Sequence, residues 1–258
     1  MRLYFKYASI QLRSIMQYKV SFFFTILGQF LTSFGAFLSI YFMFARFNEV
    51  EGFSYSEVLL CTAVVLGAFS LAEIVFRGFD RFPSMIGNGE FDRIMVRPRN
   101  EIFQIFASKL ELSRAGRLAQ AIIIVCYAIP ASGVGWTWDK VATLVLMFIC
   151  GTILFGCLFL VYASFTFFTI EGLEFMNIFT DGGREFGAYP LSIYGKGVLR
   201  FMTYVIPMAC FQYYPFLYVI GRTDNRFYMI VPLFSLLFFI PAYLFWRFGL
   251  MHYKSTGS

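Results

Sequence analysis

Between Lys19 and Arg46 the chain carries no charged residue at all. A helix needs about 20 apolar residues to cross roughly 30 Å of hydrocarbon, and in lipid it satisfies its backbone hydrogen bonds within the segment. The uncharged run predicts a first span at 20–44, and the runs 55–76, 113–133, 140–166 and 227–247 predict four more. The stretch from Phe201 to Gly221 is also long and apolar enough to span. The first run is longer than the roughly 7–15 residues of a signal-peptide core, so it is expected to stay as an anchor.

Composition agrees. Of 258 residues, 59% are apolar and 14% charged, with 36 Phe. Soluble domains run at about 45–50% apolar and about 25% charged. The net charge of +6 sits in short blocks between apolar runs, a pattern for loops facing anionic lipid and not for nucleic acid. Cys61, Cys126, Cys150, Cys157 and Cys210 lie in or beside apolar runs without a C-x-x-C pair and read as small buried residues. With His252 the single histidine, no metal site and no His-based triad is expected.

Loop charges set the orientation, because positive residues stay in the cytoplasm. Arg2, Lys6, Arg13 and Lys19 precede the first span, and segment 77–117 carries eight Lys and Arg. The loops after the first and third spans carry Arg46 and Lys140 alone. The N-terminus and 77–117 are therefore expected inside. The C-terminal end, with Arg247 and Lys254, is also inside if the spans number six. Residues 2–19 put Arg2, Lys6, Ser9 and Arg13 on one helical stripe, as expected of an amphipathic helix at the membrane surface.

Residues 167–226 admit two readings. One keeps 167–197 inside and spans with 198–220. The other spans with 168–187 and lets 188–222 dip into the outer leaflet as a re-entrant hairpin. Pro190, Pro207 and Pro215, with Gly195 and Gly197, weaken a continuous helix and favour the hairpin.

Three groups of residues are candidates for function. In segment 85–104, Gly87 and Gly89 precede a short helix and Pro98 ends it. That helix puts Phe91, Ile94 and Met95 on one face and Glu90, Arg93 and Arg97 on another. It reads either as a handle for a partner protein, with Phe91→Asp uncoupling the two, or as a solvated basic loop. The second group is the proline-rich stretch. The third is charge at membrane depth: Glu73 in the second span, and Glu171, Glu174, Asp181, Arg184 and Glu185. Such charges are costly unless paired or hydrated, so Arg184 pairing with Asp181 or Glu185 is one expectation and snorkelling to the interface the other. The chain contains no G-x-x-x-x-G-K-[ST] phosphate loop, no H-E-x-x-H and no G-x-S-x-G. Any ATP would be hydrolysed by another polypeptide.

The amphipathic N-terminal helix, the element IGNGEFDRIMVRP and the stretch YPLSIY…VIPMACFQYYP…G resemble the permeases of type-2 ABC exporters. They are most similar to a six-span bacterial branch that often pairs two different permeases. Met95 stands where that branch's I-x-x-G-x-x-D-x-x-L-x-x-P element usually has Leu. The resemblance implies an all-α polytopic membrane protein with six transmembrane helices, an interfacial helix, a cytoplasmic coupling helix and an outer re-entrant hairpin before the last span. It forms a single transmembrane domain, organised as 1–19, 20–76, 77–112, 113–166, 167–226 and 227–258. The coupling set would be Glu90, Phe91, Asp92, Arg93, Ile94, Met95 and Arg97. The expected partners are two copies of an ABC-type ATPase, which would hold the ATP and Mg, a second permease and membrane lipids. The expected location is the bacterial inner membrane, with export of an amphipathic or lipid-like substrate. The alternatives are a stand-alone secondary transporter or channel using the intramembrane carboxylates, and a membrane-embedded enzyme, against which the single His252 argues.

Overall fold

A computed structural model describes residues 2–169 and 177–254. Among the described residues, five helical stretches are long and apolar enough to cross a membrane: Lys6–Arg46, Tyr55–Gly87, Leu112–Ala131, Trp138–Phe165 and Pro232–His252. They overlap the five runs expected to span.

The first stretch is two helices. Helix α1 (Arg2–Ile15) ends in a short 3-10 turn, and Tyr18 leaves helical geometry at φ −113°, ψ 57° before α2 (Lys19–Arg46) begins. The sequence reading placed this boundary at the last basic residue before the apolar run. Few side chains of α2 are buried within the chain, and Phe23, Phe24, Leu31 and Phe42 are exposed, as suits lipid contact.

Helix α3 (Tyr55–Phe76) is the central element. It opens with a capping box in which the Ser54 backbone N–H donates to Glu57 Oε2 at 2.8 Å. It is buried along most of its length, from Val58 to Glu73. It packs against α7 (Ala115–Ala131) and α8 (Trp138–Phe165). Gly116 lets α7 approach α2: a Cβ there would lie 2.2 Å from the Ile26 carbonyl oxygen. Small residues at such crossings are what membrane helices use to bring backbones together.

Three short helices join α3 to α7: α4 (Phe82–Gly87), α5 (Glu90–Met95) and α6 (Glu101–Phe106). Gly89 turns the chain into α5 at φ +66°, a left-handed conformation that glycine adopts without steric cost. Pro98 ends the element as expected, and Asn100 caps α6 by accepting from the Phe103 N–H at 3.1 Å. α1 lies against this segment. The Gln11 amide donates to the carbonyls of Ala107 and Ser108 and accepts from the Leu110 N–H, and Tyr4 meets the rings of Phe103 and Phe106.

After α8 comes α9 (Asn177–Gly187); residues 170–176, with Glu171 and Glu174, lie outside the described residues. Then follow α10 (Gly195–Tyr204), α11 (Met208–Gln212) and α12 (Tyr214–Val219). A single span over 198–220 is not what forms. The helix breaks at residues 205–207, and Thr203 Oγ1 lies 3.2 Å from the Tyr214 hydroxyl. Those residues are eleven apart, and a straight helix would separate them by about 16 Å. The chain therefore turns back on itself at Pro207, and Pro215 sits in the first turn of α12, where its missing N–H costs nothing. The last stretch runs from α13 (Pro232–Ser235) into α14 (Phe239–His252).

The cysteine reading needs one correction. Cys61, Cys150, Cys157 and Cys210 are buried, but Cys126 is exposed, on the outward face of α7 beside Ile122 and Ile123. In a lipid-facing helix, an apolar position need not be an interior one.

Candidate functional site

The charge at Glu73 is answered from three directions. Its side chain is 1% exposed, and Oε2 accepts from Arg117 Nη1 at 2.9 Å. Oε1 accepts from Arg77 Nη1 at 3.2 Å and lies 3.3 Å from Arg114 Nε, an ion-pair contact without an aligned hydrogen bond. Gln29 of α2 joins the group, its Oε1 accepting from Arg114 at 2.7 Å and Arg117 at 2.9 Å. Arg77 also pairs with Asp80. The network pins α2, α3 and the start of α7 together. Sequence reasoning counted Arg77, Arg114 and Arg117 as loop charges. The available signal was Arg114 and Arg117 one turn apart at the mouth of a span, facing a span whose Glu73 lies at the same end.

On α9, Arg184 lies 3.8 Å from Asp181 and makes a close pair with Glu185. Its guanidinium sits 5.3 Å from the ring centre of Phe69 on α3. The carboxyl end of α9 is held by neighbours that sequence reasoning did not single out. Gln212 Nε2 donates to the carbonyls of Gly187 at 3.2 Å and Tyr189 at 3.0 Å, and Thr62 Oγ1 donates to that of Ala188 at 2.7 Å. These are the carbonyls a helix end leaves without an intrahelical partner. Pro190, buried, follows directly.

Segment 85–97 divides differently from the sequence expectation. Phe91 is 0% exposed and Ile94 is buried, so neither is available to another protein. Phe91 is boxed by Phe82, Phe167, Trp246 and Tyr253, with ring centres 5.0–6.4 Å away. Tyr253 donates a hydrogen bond to Asp92 at 3.1 Å, and burial together with that bond pushes its phenol pKa up. What α5 leaves outside is Met95, Val96, Glu90, Arg93 and Arg97. Of the expected apolar face, Phe91 and Ile94 are committed inside this chain, Phe91 against its last helix, while Met95 is exposed.

At the far end of the spans, Arg222 donates to Glu57 at 2.9 Å and to the Gly52 carbonyl, and lies 3.9 Å over the ring of Phe53. Its charge, which runs against the loop-charge trend, is thus matched locally.

The sequence pattern of ABC-2 family transporter proteins matches residues 30–257. No curated protein and no solved structure matches the chain. With nearly the whole chain covered, this multi-pass membrane protein belongs to the ABC-2 transporter family, whose members are membrane components of transport.

Proposed function

We propose that this ABC-2 family protein is the permease subunit of an ATP-driven exporter of amphipathic or lipid-like substrates. Its ATPase, holding the ATP and Mg, is a separate chain present in two copies. A second permease, identical or homologous, completes the pathway. The N-terminus, segment 77–117 and the C-terminal end face the cytoplasm of a bacterial cell, in keeping with their positive charge. Segment 168–187, of which 170–176 lie outside the described residues, is the fifth of six spans, and α10 to α12 form the outer re-entrant hairpin. Their broken backbone is tolerable there because protein buries it, as at Met208, Phe211 and Phe216.

The observation that carries the coupling reading is the aromatic box around Phe91. A helix meant to transmit force must be fixed to what it moves. α5 is wedged against Trp246 of α14 and Phe167 just beyond α8, while Met95, Val96 and three charged side chains face outward. An ATPase that closes on those outward side chains would tilt the spans behind them. The test is a mild-detergent pull-down of the tagged protein with mass spectrometry of its companions. A stoichiometric Walker-type ATPase is expected. A chain that is stable and pure without one would overturn the reading.

A further inference from the structure

Two cavities meet beside α2, and their linings differ in kind. The inner one, about 310 Å³, is bounded by α2, α3, α7 and α9 and holds Arg117, Arg184, Asp181 and Glu185 with Ser33 and Thr62. The outer one, about 440 Å³, is walled by rings, among them Phe34, Tyr41 and Tyr127. Phe37 and Ile124 line both, so the two adjoin at these side chains. Each falls within the roughly 300–1,000 Å³ of ordinary ligand sites.

Between charge and rings sits Gln120. It is 3% exposed, and neither its amide nitrogen nor its amide oxygen has a hydrogen-bond partner among the described residues. A buried amide without partners is costly, and this one lies in a wall of the aromatic cavity. Arg117, Gln120, Ile124 and Tyr127 follow one another at helical spacing along one face of α7. That face runs from charge, through a neutral amide, to apolar surface.

We infer that this composite cavity binds a zwitterionic amphiphile: an anion and an ammonium in the head, a carbonyl at the head–tail junction, and an apolar tail. The inference rests on the transport reading above. The inner chamber carries two guanidiniums and two carboxylates, so its formal charge is zero. Arg117 is already answered by Glu73, and Arg184 by Asp181 and Glu185, so a head of one sign would add a charge that this balanced lining does not neutralise, whereas a zwitterion adds none. Arg117 and Arg184 take the anion, since guanidinium geometry suits phosphate and carboxylate. The Asp181 and Glu185 side chains, 45% and 61% exposed, take the ammonium. Gln120 donates to the junction carbonyl, and the rings receive the tail.

The test uses the full chain in nanodiscs of phosphatidylglycerol, which supplies no zwitterion. Photoreactive lysophosphatidylcholine and photoreactive phosphatidylcholine are the probes, and the labelled peptides are mapped by mass spectrometry. Label is expected on segments 34–41 and 120–127. Unlabelled phosphocholine amphiphiles should compete, and single-charge alkyl phosphate or alkyltrimethylammonium of equal chain length should not. Labelling by the one-tailed probe alone would point to a free amphiphile, and labelling by both to a bilayer phospholipid. Arg184→Gln should raise the half-labelling concentration at least about tenfold. Gln120→Leu should abolish the preference, about fivefold, for the ester-linked probe over its ether analogue. Since Gln120 holds nothing else together, that variant gives a result even if Arg184→Gln fails to fold. Label spread evenly over all lipid-facing helices, equal competition by single-charge amphiphiles, or no change in either variant would overturn the site. The ATPase pull-down is read separately, so the site can fail while the permease reading stands.

Discussion

Replacing Glu73 by Gln should be among the most damaging single changes available in this chain. The carboxylate is 1% exposed and meets Arg117 at 2.9 Å, Arg77 at 3.2 Å and Arg114 at 3.3 Å. An amide keeps the size and loses the charge. Arg77 would still have Asp80, but Arg114 and Arg117 would be left with neutral acceptors, Gln29 Oε1 and the new amide oxygen, and no countercharge. Removing one partner of a buried ion pair costs about 3–5 kcal/mol, because the remaining charge stays desolvated and unpaired. Glu57→Gln is the internal control. Its pair with Arg222 is partly exposed, at 15% and 32%, and such pairs are worth about 1 kcal/mol or less. The assay is SDS-induced unfolding in mixed micelles followed by the fluorescence of Trp246, which is 0% exposed in the folded state. Arg117→Gln in the Glu73→Gln background should cost less than the sum of the two single changes, by about 1–3 kcal/mol. A Glu73→Gln loss below about 1 kcal/mol, or additivity within about 0.5 kcal/mol, would mean that the network holds no interhelical strain in check.

Three further outcomes are expected. Met95→Asp and Val96→Asp should leave unfolding within about 0.5 kcal/mol of the parent yet reduce ATPase co-purification, while Phe91→Ala should cost about 3–5 kcal/mol through the emptied aromatic box. If the two exposed variants retain the ATPase fully, α5 is not the contact. Gly116→Ala must push α2 away from α7, since its new methyl would sit 2.2 Å from a backbone oxygen, and should cost about 1–3 kcal/mol in the same titration. Gln212→Leu strands the carbonyls of Gly187 and Tyr189, and hydrogen exchange at residues 187–189 should accelerate by about tenfold or more, a change absent if water can replace the amide.

What the sequence discloses about such a chain follows from which forces act locally. Five spans were legible because crossing hydrocarbon demands a continuous apolar length, and continuity can be read along one strand of text. The break at 205–207 was legible for a similar reason: Pro207 removes a backbone donor wherever it sits. The interior was not legible in that way. In water, the apolar side of a helix is its buried side, but in lipid both sides are apolar and periodicity no longer separates them. Cys126 and Cys150 therefore look alike in sequence and end on opposite sides of the wall. Phe91 shows the same ambiguity at the membrane surface. Its spacing from Ile94 and Met95 marks a face, but not whether this chain or a partner covers it; that depended on Trp246 and Tyr253, more than 150 residues away. Charges behave oppositely, because each buried one requires an answer. Glu73 announced that a cation had to come near, and Arg114 and Arg117 stood at the right end of the right span to supply it. A lone carboxylate within a span is thus best read as a request for a partner helix, and the arginines at the mouths of neighbouring spans are the first place to look for the reply.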